Sequence, residues 1–193
     1  MSLKGKMLYD PHEIQDEFVL FYKSLMGTSE GKLPAINAQV MKRGPTLIKQ
    51  QRLQLCAAVT EQEIYDGLQP IGNDKAPGVD GYNAFFFKHT WQIIKVDIIE
   101  VVQSFFTTGK LYKAFNCTLV SLILKVQCPK IVKEYKQIGC CTVIYKIISK
   151  LLNKRMKTVI GELVYEHQMA FMRGRQKMDA TFLTNELVDS RTK

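Results

Sequence analysis

Positively charged residues gather in one part of the chain and give the strongest chemical signal in the sequence. Residues 109–157 contain 11 lysines and arginines but a single acidic residue, Glu134, and all 193 residues together carry a net charge of +9. Clustered cations release counterions from a phosphate backbone and therefore favour salt-dependent binding to polyanions. The pattern predicts a surface that faces a polyanion, and a plain solvated lysine surface is the alternative that charge alone leaves open.

The residue pattern gives little support to a metal site, a disulfide framework or a nucleotide-binding loop. The five cysteines and three histidines show no metal-ligand spacing, which argues against a zinc site and against a disulfide framework. Residues 27–32, GTSEGK, are one residue too short for a phosphate-binding loop, and Leu33 stands where a hydroxyl should contact magnesium. The acidic residues of the basic half fall on different predicted elements and form no visible metal-binding pair: Glu134, Glu162, Glu166 and Asp179.

The hydropathy pattern excludes two further classes of protein. No stretch is apolar over the roughly 18 residues that a membrane-spanning helix needs. The first ten residues, MSLKGKMLYD, lack the apolar core of a secretory signal. We therefore expect an intracellular chain with no membrane partner.

Helix-start and helix-stop residues outline the first elements of the chain. Asp10 followed by Pro11 predicts the start of a helix, and Gly27 predicts its end. Residues 27–45 are rich in glycine and proline and are interpreted as a loop or linker. A further helix is expected over about 46–57.

The next segments combine turns with buried helices. Residues 60–63, TEQE, form a capping box that predicts the start of a short helix. Residues 73–81, NDKAPGVDG, contain Pro-Gly and Asp-Gly pairs that require turns. A longer helix is expected over 84–107 with a break near Thr90. We expect its aromatic residues, Phe85, Phe86, Phe87 and Trp91, to lie in the core.

The basic block contains one predicted strand and one predicted helix. Residues 118–125, TLVSLILK, are apolar and partly β-branched, which favours a strand. From Thr142 to about Ile160 apolar residues recur at helical spacing and predict a core-facing helix with a lysine flank. A last helix is expected to start at Asp179. The predicted core-facing residues of the lysine-flanked helix are Ile144, Ile147, Leu151 and Val159.

In combination these segments resemble the opening part of reverse transcriptases from non-LTR, LINE-type retrotransposons, plant elements above all. The likeness is strongest from residues 74–81, DKAPGVDG, onward and continues without a gap over nearly the whole chain. The other motifs follow in the family's order: Phe85-Phe-Phe-Lys88, Trp91, Phe105-Phe-x-x-Gly109, Asn116-x-Thr118, Leu122-Ile-Leu-Lys125, Pro129, Val132-Lys-Glu-Tyr135, Cys140-Cys-x-Val-Ile-Tyr-Lys-Ile-Ile-Ser-Lys150, Gln168-x-Ala-Phe171, Gly174-Arg175 and Asp179.

The resemblance implies an α+β, mostly helical chain that forms part of a right-hand polymerase. Residues 1–60 would be a helical N-terminal extension, and residues 61–193 the fingers and an incomplete palm. Such segments contact the template and the incoming triphosphate in this family. The resemblance therefore implies RNA or DNA template-primer as partner, together with the missing C-terminal palm and thumb of the parent polymerase. The implied phosphate-binding residues are Lys125, Lys136, Arg173, Gly174 and Arg175.

The family's metal-binding aspartates have no counterpart in the sequence. The resemblance places them after residues 189–193, and no Asp-Asp pair occurs in the chain. We therefore expect a parent RNA-directed DNA polymerase that uses Mg²⁺, and a chain that binds no cofactor, contains no catalytic residue and is inactive alone. The alternatives are a non-catalytic nucleic-acid-binding remnant and a poorly folding product of a decayed copy, in which the predicted strand lacks sheet partners.

Overall fold

The computed structural model describes residues 8–27 and 44–164, together with the isolated positions 39 and 42. These residues form helices and a small antiparallel sheet, so the predicted α+β class is confirmed. The helices are α1 (Pro11–Met26), α2 (Lys49–Leu55), α3 (Glu61–Leu68), α4 (Ala84–His89), α5 (Trp91–Thr108), α6 (Val143–Lys157) and α7 (Ile160–Leu163); the strands are β1 (Thr118–Leu124) and β2 (Tyr135–Cys141).

The chain divides into two compact units. The first unit contains residues 1–35 and 61–148, and the second contains residues 36–60 and 149–193. The first unit buries apolar side chains from α3, α4, α5, the hairpin and the first turns of α6. Buried apolar residues of the second unit are Val59, Leu151 and Val159.

Helix α1 has the bounds that its capping residues predict. The Asp10 carboxylate accepts a hydrogen bond from the His12 backbone N–H at 3.0 Å, and Gly27 ends the helix with a φ of 71°. The helix lies beside the hairpin, because the Phe18 ring meets the edge of the Tyr135 ring at a centroid distance of 5.0 Å. An open apolar groove of about 580 Å³ remains between α1 and Val120 of the sheet.

The predicted break at Thr90 is confirmed, and the side chain explains it. The Thr90 hydroxyl and backbone N–H both donate to the Phe86 carbonyl, at 2.8 and 2.9 Å, and so end α4. The Thr90 carbonyl then accepts the first hydrogen bonds of α5. Phe87 and Trp91 are buried as predicted. The expectation that Phe85 lies in the core is wrong, because its ring is exposed on the outer face of this short helix. There it contacts the His89 ring, one helical turn further on.

The β hairpin is the part of the fold that the sequence pattern did not fully predict. Strand β1 was expected, but its partner β2 was not, because residues 135–141, YKQIGCC, mix charged, polar and small residues without a clear alternation. The two strands pair antiparallel from Thr118 opposite Cys141 to Leu124 opposite Tyr135. The alternative of a poorly folding product assumed a strand without sheet partners, and the pairing with β2 contradicts that assumption for one edge of β1.

Helix α6 confirms the clearest helical pattern of the sequence, although it ends three residues early. Ile144, Ile147 and Leu151 are buried as predicted. The chain then turns at 158–159 and continues into α7.

Helix α2 is likewise shorter than the expected 46–57. The predicted linker lies mostly, and the helix at Asp179 entirely, outside the described residues.

The start of α6 is where three segments of the first unit meet. Thr142, only 1% exposed, donates its hydroxyl to the Phe115 carbonyl at 3.1 Å and accepts the Tyr145 backbone N–H at 3.3 Å. Gly78 of the turn-rich loop packs directly against it. A Cβ atom at position 78 would lie 2.6 Å from the Thr142 nitrogen and 2.9 Å from the Cys141 carbonyl carbon. Because these are backbone atoms, they cannot move aside as a flexible side chain would.

We predict that Gly78→Ala lowers the free energy of unfolding by about 1–3 kcal/mol, since the new methyl group overpacks a backbone contact. Urea unfolding followed by circular dichroism measures the change. Gly161→Ala is the matched control, because a Cβ there meets no atom within 4 Å. The control should be neutral or stabilising by up to about 1 kcal/mol. Equal unfolding midpoints for Gly78→Ala and the unmodified chain would contradict the prediction.

Candidate nucleic-acid interface

The end of the β hairpin carries four lysines within twelve residues. The hairpin closes with a hydrogen bond of 2.8 Å from the Lys125 N–H to the Glu134 carbonyl. The loop between these residues places Lys130 and Lys133 beside them, and Lys136 follows on β2. We call Lys125, Lys130, Lys133 and Lys136 the hairpin lysines. All four side chains are exposed to solvent. Lys125 differs from the other three in that its ammonium also donates a hydrogen bond to a backbone carbonyl.

Glu134 is the single acidic residue of this region, and its carboxylate serves the loop backbone. One of its oxygens accepts the Lys130 N–H at 2.6 Å and the Ile131 N–H at 3.3 Å. This arrangement shapes the first turn of the short 3-10 segment Val132–Glu134. The partners of this carboxylate are these two backbone N–H groups, and no ion pair joins it to a hairpin lysine within the described residues. The hairpin end therefore keeps a local excess of positive charge.

The structure brings together two of the five predicted phosphate-binding residues. Lys125 and Lys136 both lie near the hairpin end, with Lys136 opposite Ile123 on the paired strand. The Lys125 ammonium donates to the Lys133 carbonyl at 2.8 Å, so part of its role is to hold the loop closed. Arg173, Gly174 and Arg175 lie outside the described residues. Their predicted role stays a prediction.

Several cations that the sequence pattern assigned to one basic surface stabilise the backbone instead. The Lys146 ammonium donates to the Ala76 carbonyl at 2.9 Å and so ties the turn-rich loop to α6. In the second unit, Arg155 donates to the Leu55 and Ala57 carbonyls at 3.0 and 2.7 Å. A guanidinium fork suits such paired acceptors. The uniform lysine flank predicted for α6 is thus a mixture of structural and exposed cations.

Lys88, for which the sequence predicted no role, also donates to backbone carbonyl groups. Its ammonium donates to the Gln69 and Ile71 carbonyls at 2.9 and 2.7 Å and to the Asn73 side-chain oxygen at 2.9 Å. Three acceptors satisfy the three donors of a lysine ammonium. Lys88 therefore fixes the end of α3 and the start of the turn-rich loop. The sequence signal was the lysine at the end of an otherwise aromatic run.

Carboxylates and thiols form no metal centre in the described part of the chain. No group of three histidine, cysteine, aspartate or glutamate side chains lies close enough to hold a metal ion among residues 8–27 and 44–164. Asp80 accepts the Tyr82 N–H at 3.4 Å and so shapes a turn.

None of the helices within the described ranges is both long enough and apolar enough to cross a bilayer.

Comparison with known proteins gives one informative similarity. The chain is 26% identical over 184 residues to the transposon TX1 uncharacterized 149 kDa protein of Xenopus laevis. The match covers 95% of this chain and 14% of that protein, so the chain spans about one seventh of the length of the curated relative. No family model matches the chain.

The division between structural and exposed cations predicts different effects for two lysines of the same helix. We expect Lys146→Met to lower the free energy of unfolding by about 1 kcal/mol, because the Ala76 carbonyl loses a charged donor. Lys150→Met removes the same charge from an exposed position of α6 and should change stability by less than about 0.5 kcal/mol. Chemical denaturation of both variants measures the difference. Equal stabilities would show that the Lys146 contact contributes nothing.

Proposed function

We propose that the chain is a segment of a LINE-type retrotransposon reverse transcriptase and that it holds the phosphate backbone of the RNA or DNA template-primer. Two observations support the family: the ordered motifs from residues 74–81 onward, and the similarity to a transposon-encoded protein over 95% of the chain. Within this proposal, residues 61–193 are the fingers and the start of a palm, and residues 1–60 are a helical extension.

The proposed phosphate contact depends mainly on one observation, the binding of the Glu134 carboxylate to backbone N–H groups. Four lysines share the hairpin end with one carboxylate, and that carboxylate is held by the backbone N–H groups of Lys130 and Ile131. Cations without an acidic side-chain partner at an exposed loop are suited to bind phosphate. A contact of this kind is independent of base sequence, as a polymerase that copies any template requires.

Chemistry at the magnesium ions is assigned to the parent enzyme and not to this chain. Mg²⁺ would polarise the reacting phosphate and activate the primer hydroxyl in the parent polymerase. Within this proposal, the residues of this chain contribute binding to the template-primer. The exposed hairpin lysines also support a second candidate function, a non-catalytic nucleic-acid-binding remnant.

We predict that binding to nucleic acid depends steeply on salt and requires the hairpin lysines. A fluorescein-labelled RNA titrated at several salt concentrations should give a log–log slope of about −3 to −6, as expected for ~4–8 neutralised phosphates on a single strand. The double change Lys130→Glu with Lys136→Glu should weaken binding about tenfold or more and reduce the magnitude of that slope by about 1.4, since each lost phosphate contact on a single strand contributes about 0.7. Fluorescence anisotropy measures both quantities.

The matched control reverses two exposed lysines outside the basic block, Lys23→Glu with Lys49→Glu. The net charge changes equally in the two double variants, so the control should bind nearly as well as the unmodified chain. If both double variants lose affinity equally, net charge and not the hairpin governs binding, and the proposed contact is wrong. Lys136→Glu combined with Arg175→Glu tests the predicted contribution of the Arg173–Arg175 segment in the same assay.

We also predict that a polypeptide of these 193 residues does not extend a primed RNA template. The chemistry needs paired carboxylates to hold two metal ions, and the sequence lacks the pair. A primer-extension assay with all four deoxynucleoside triphosphates and Mg²⁺ gives the answer on a denaturing gel. Any added nucleotide would overturn the assignment of chemistry to the rest of the parent enzyme.

A further inference from the structure

The segment between α5 and β1 forms a groove that is separate from the hairpin end. Residues 110–115, KLYKAF, run alongside the last turns of α5 and enclose an open volume of about 740 Å³. Tyr112 is 72% exposed at this groove, although a tyrosine ring gains by burial. Lys110 and Lys113 line the same groove on either side of Tyr112 in the sequence.

This segment is held in one conformation by its own backbone. The Tyr112 carbonyl accepts the Phe115 and Asn116 N–H groups at 3.0 and 3.2 Å, and the Phe115 carbonyl accepts the hydroxyl of buried Thr142 at 3.1 Å. The Phe115 ring also supports the Tyr112 ring at a centroid distance of 6.1 Å. The turn therefore presents an exposed aromatic ring to solvent, and its backbone hydrogen bonds lower the cost of ordering the backbone on binding.

The net positive charge of the groove favours an anionic ligand. Lys110 and Lys113 contribute two positive charges, against one negative charge from Glu100 among the lining residues. Neither lysine side chain has an ion-pair partner within the described residues. An aromatic face between two cations matches the way proteins hold single-stranded nucleic acid, in which bases stack and phosphates meet lysine. A duplex offers no free base face for such stacking.

We propose that this groove binds single-stranded RNA or DNA by stacking one base on Tyr112 while Lys110 and Lys113 contact the adjacent phosphates. The proposal rests on the proposed function in that the chain must bind nucleic acid. It adds a contact that distinguishes single strands from duplexes, which the hairpin lysines do not do.

The test compares Tyr112→Ala with Tyr112→Phe, because phenylalanine keeps the ring and removes only the hydroxyl. The probes are a fluorescein-labelled 12-nucleotide single-stranded RNA and a duplex of the same sequence. Tyr112→Ala should weaken single-strand binding by about 5- to 100-fold, the range for loss of one stacked base, and should change duplex binding by less than about twofold. Tyr112→Phe should bind both probes as the unmodified chain does.

A second measurement reports stacking itself and does not depend on affinity. A single-stranded probe with 2-aminopurine bases loses fluorescence when a base stacks on an aromatic ring. At saturation we expect this quenching with the unmodified chain and with Tyr112→Phe, and its absence with Tyr112→Ala. Equal quenching by all three would overturn the proposal, as would an equal loss of single-strand and duplex binding in Tyr112→Ala.

The hairpin variant separates this inference from the proposed function. If Lys130→Glu with Lys136→Glu weakens binding and Tyr112→Ala does not, the groove proposal is wrong and the hairpin contact stands. If Tyr112→Ala weakens single-strand binding and the hairpin variant does not, the groove is the binding site and the proposed hairpin contact is wrong. An unmodified chain that binds neither probe overturns both.

Discussion

The first unit depends on the close approach of Gly78 to the backbone of Thr142. This contact joins the turn-rich loop to the start of α6, and the Thr142 hydroxyl extends the junction to the segment before β1. Side-chain oxygen atoms near a helix start normally satisfy one free backbone N–H. Here the same hydroxyl also donates to a distant carbonyl, so the helix start, the loop and the Tyr112 turn are fixed by a single buried residue.

Positive charge in this chain has two separate uses, and only one of them faces solvent. Lys88, Lys146 and Arg155 donate to backbone carbonyls at turns and loop ends. These contacts satisfy carbonyl groups that irregular backbone leaves without partners. The hairpin lysines, by contrast, share their loop with a carboxylate that already serves two N–H groups. Some basic residues of the block are thus held by carbonyl groups, and the hairpin end is one of the places where lysines stay exposed.

Local signals predicted the helices well because each depends on a few neighbouring residues. Asp10 with Pro11 marked the start of α1, and Thr90 marked the break between α4 and α5. Strand β2 escaped prediction because pairing with β1, and not its own sequence, makes it a strand. The structural roles of Lys146 and Arg155 were hidden for a similar reason, since their acceptors lie far away in the chain. In the predicted site, the sequence correctly placed Lys125 and Lys136 close together. The exposure of Tyr112 could not be predicted, because it depends on a turn that is held by Thr142, about 30 residues further along the chain.

Strand β1 has a consequence for how the chain behaves when it is concentrated. Its seven residues, TLVSLIL, are all exposed, contain no charge and no proline, and have one edge that pairs with no other strand in the described structure. Natural edge strands usually carry a lysine or a proline as a gatekeeper that opposes edge-to-edge pairing. In β1 the nearest gatekeeper is Lys125, just past the end, and its ammonium is already bound to the Lys133 carbonyl. The strand is therefore a template for aggregation wherever it is left uncovered, and a lysine at Ser121 is the simplest change that would supply the missing protection.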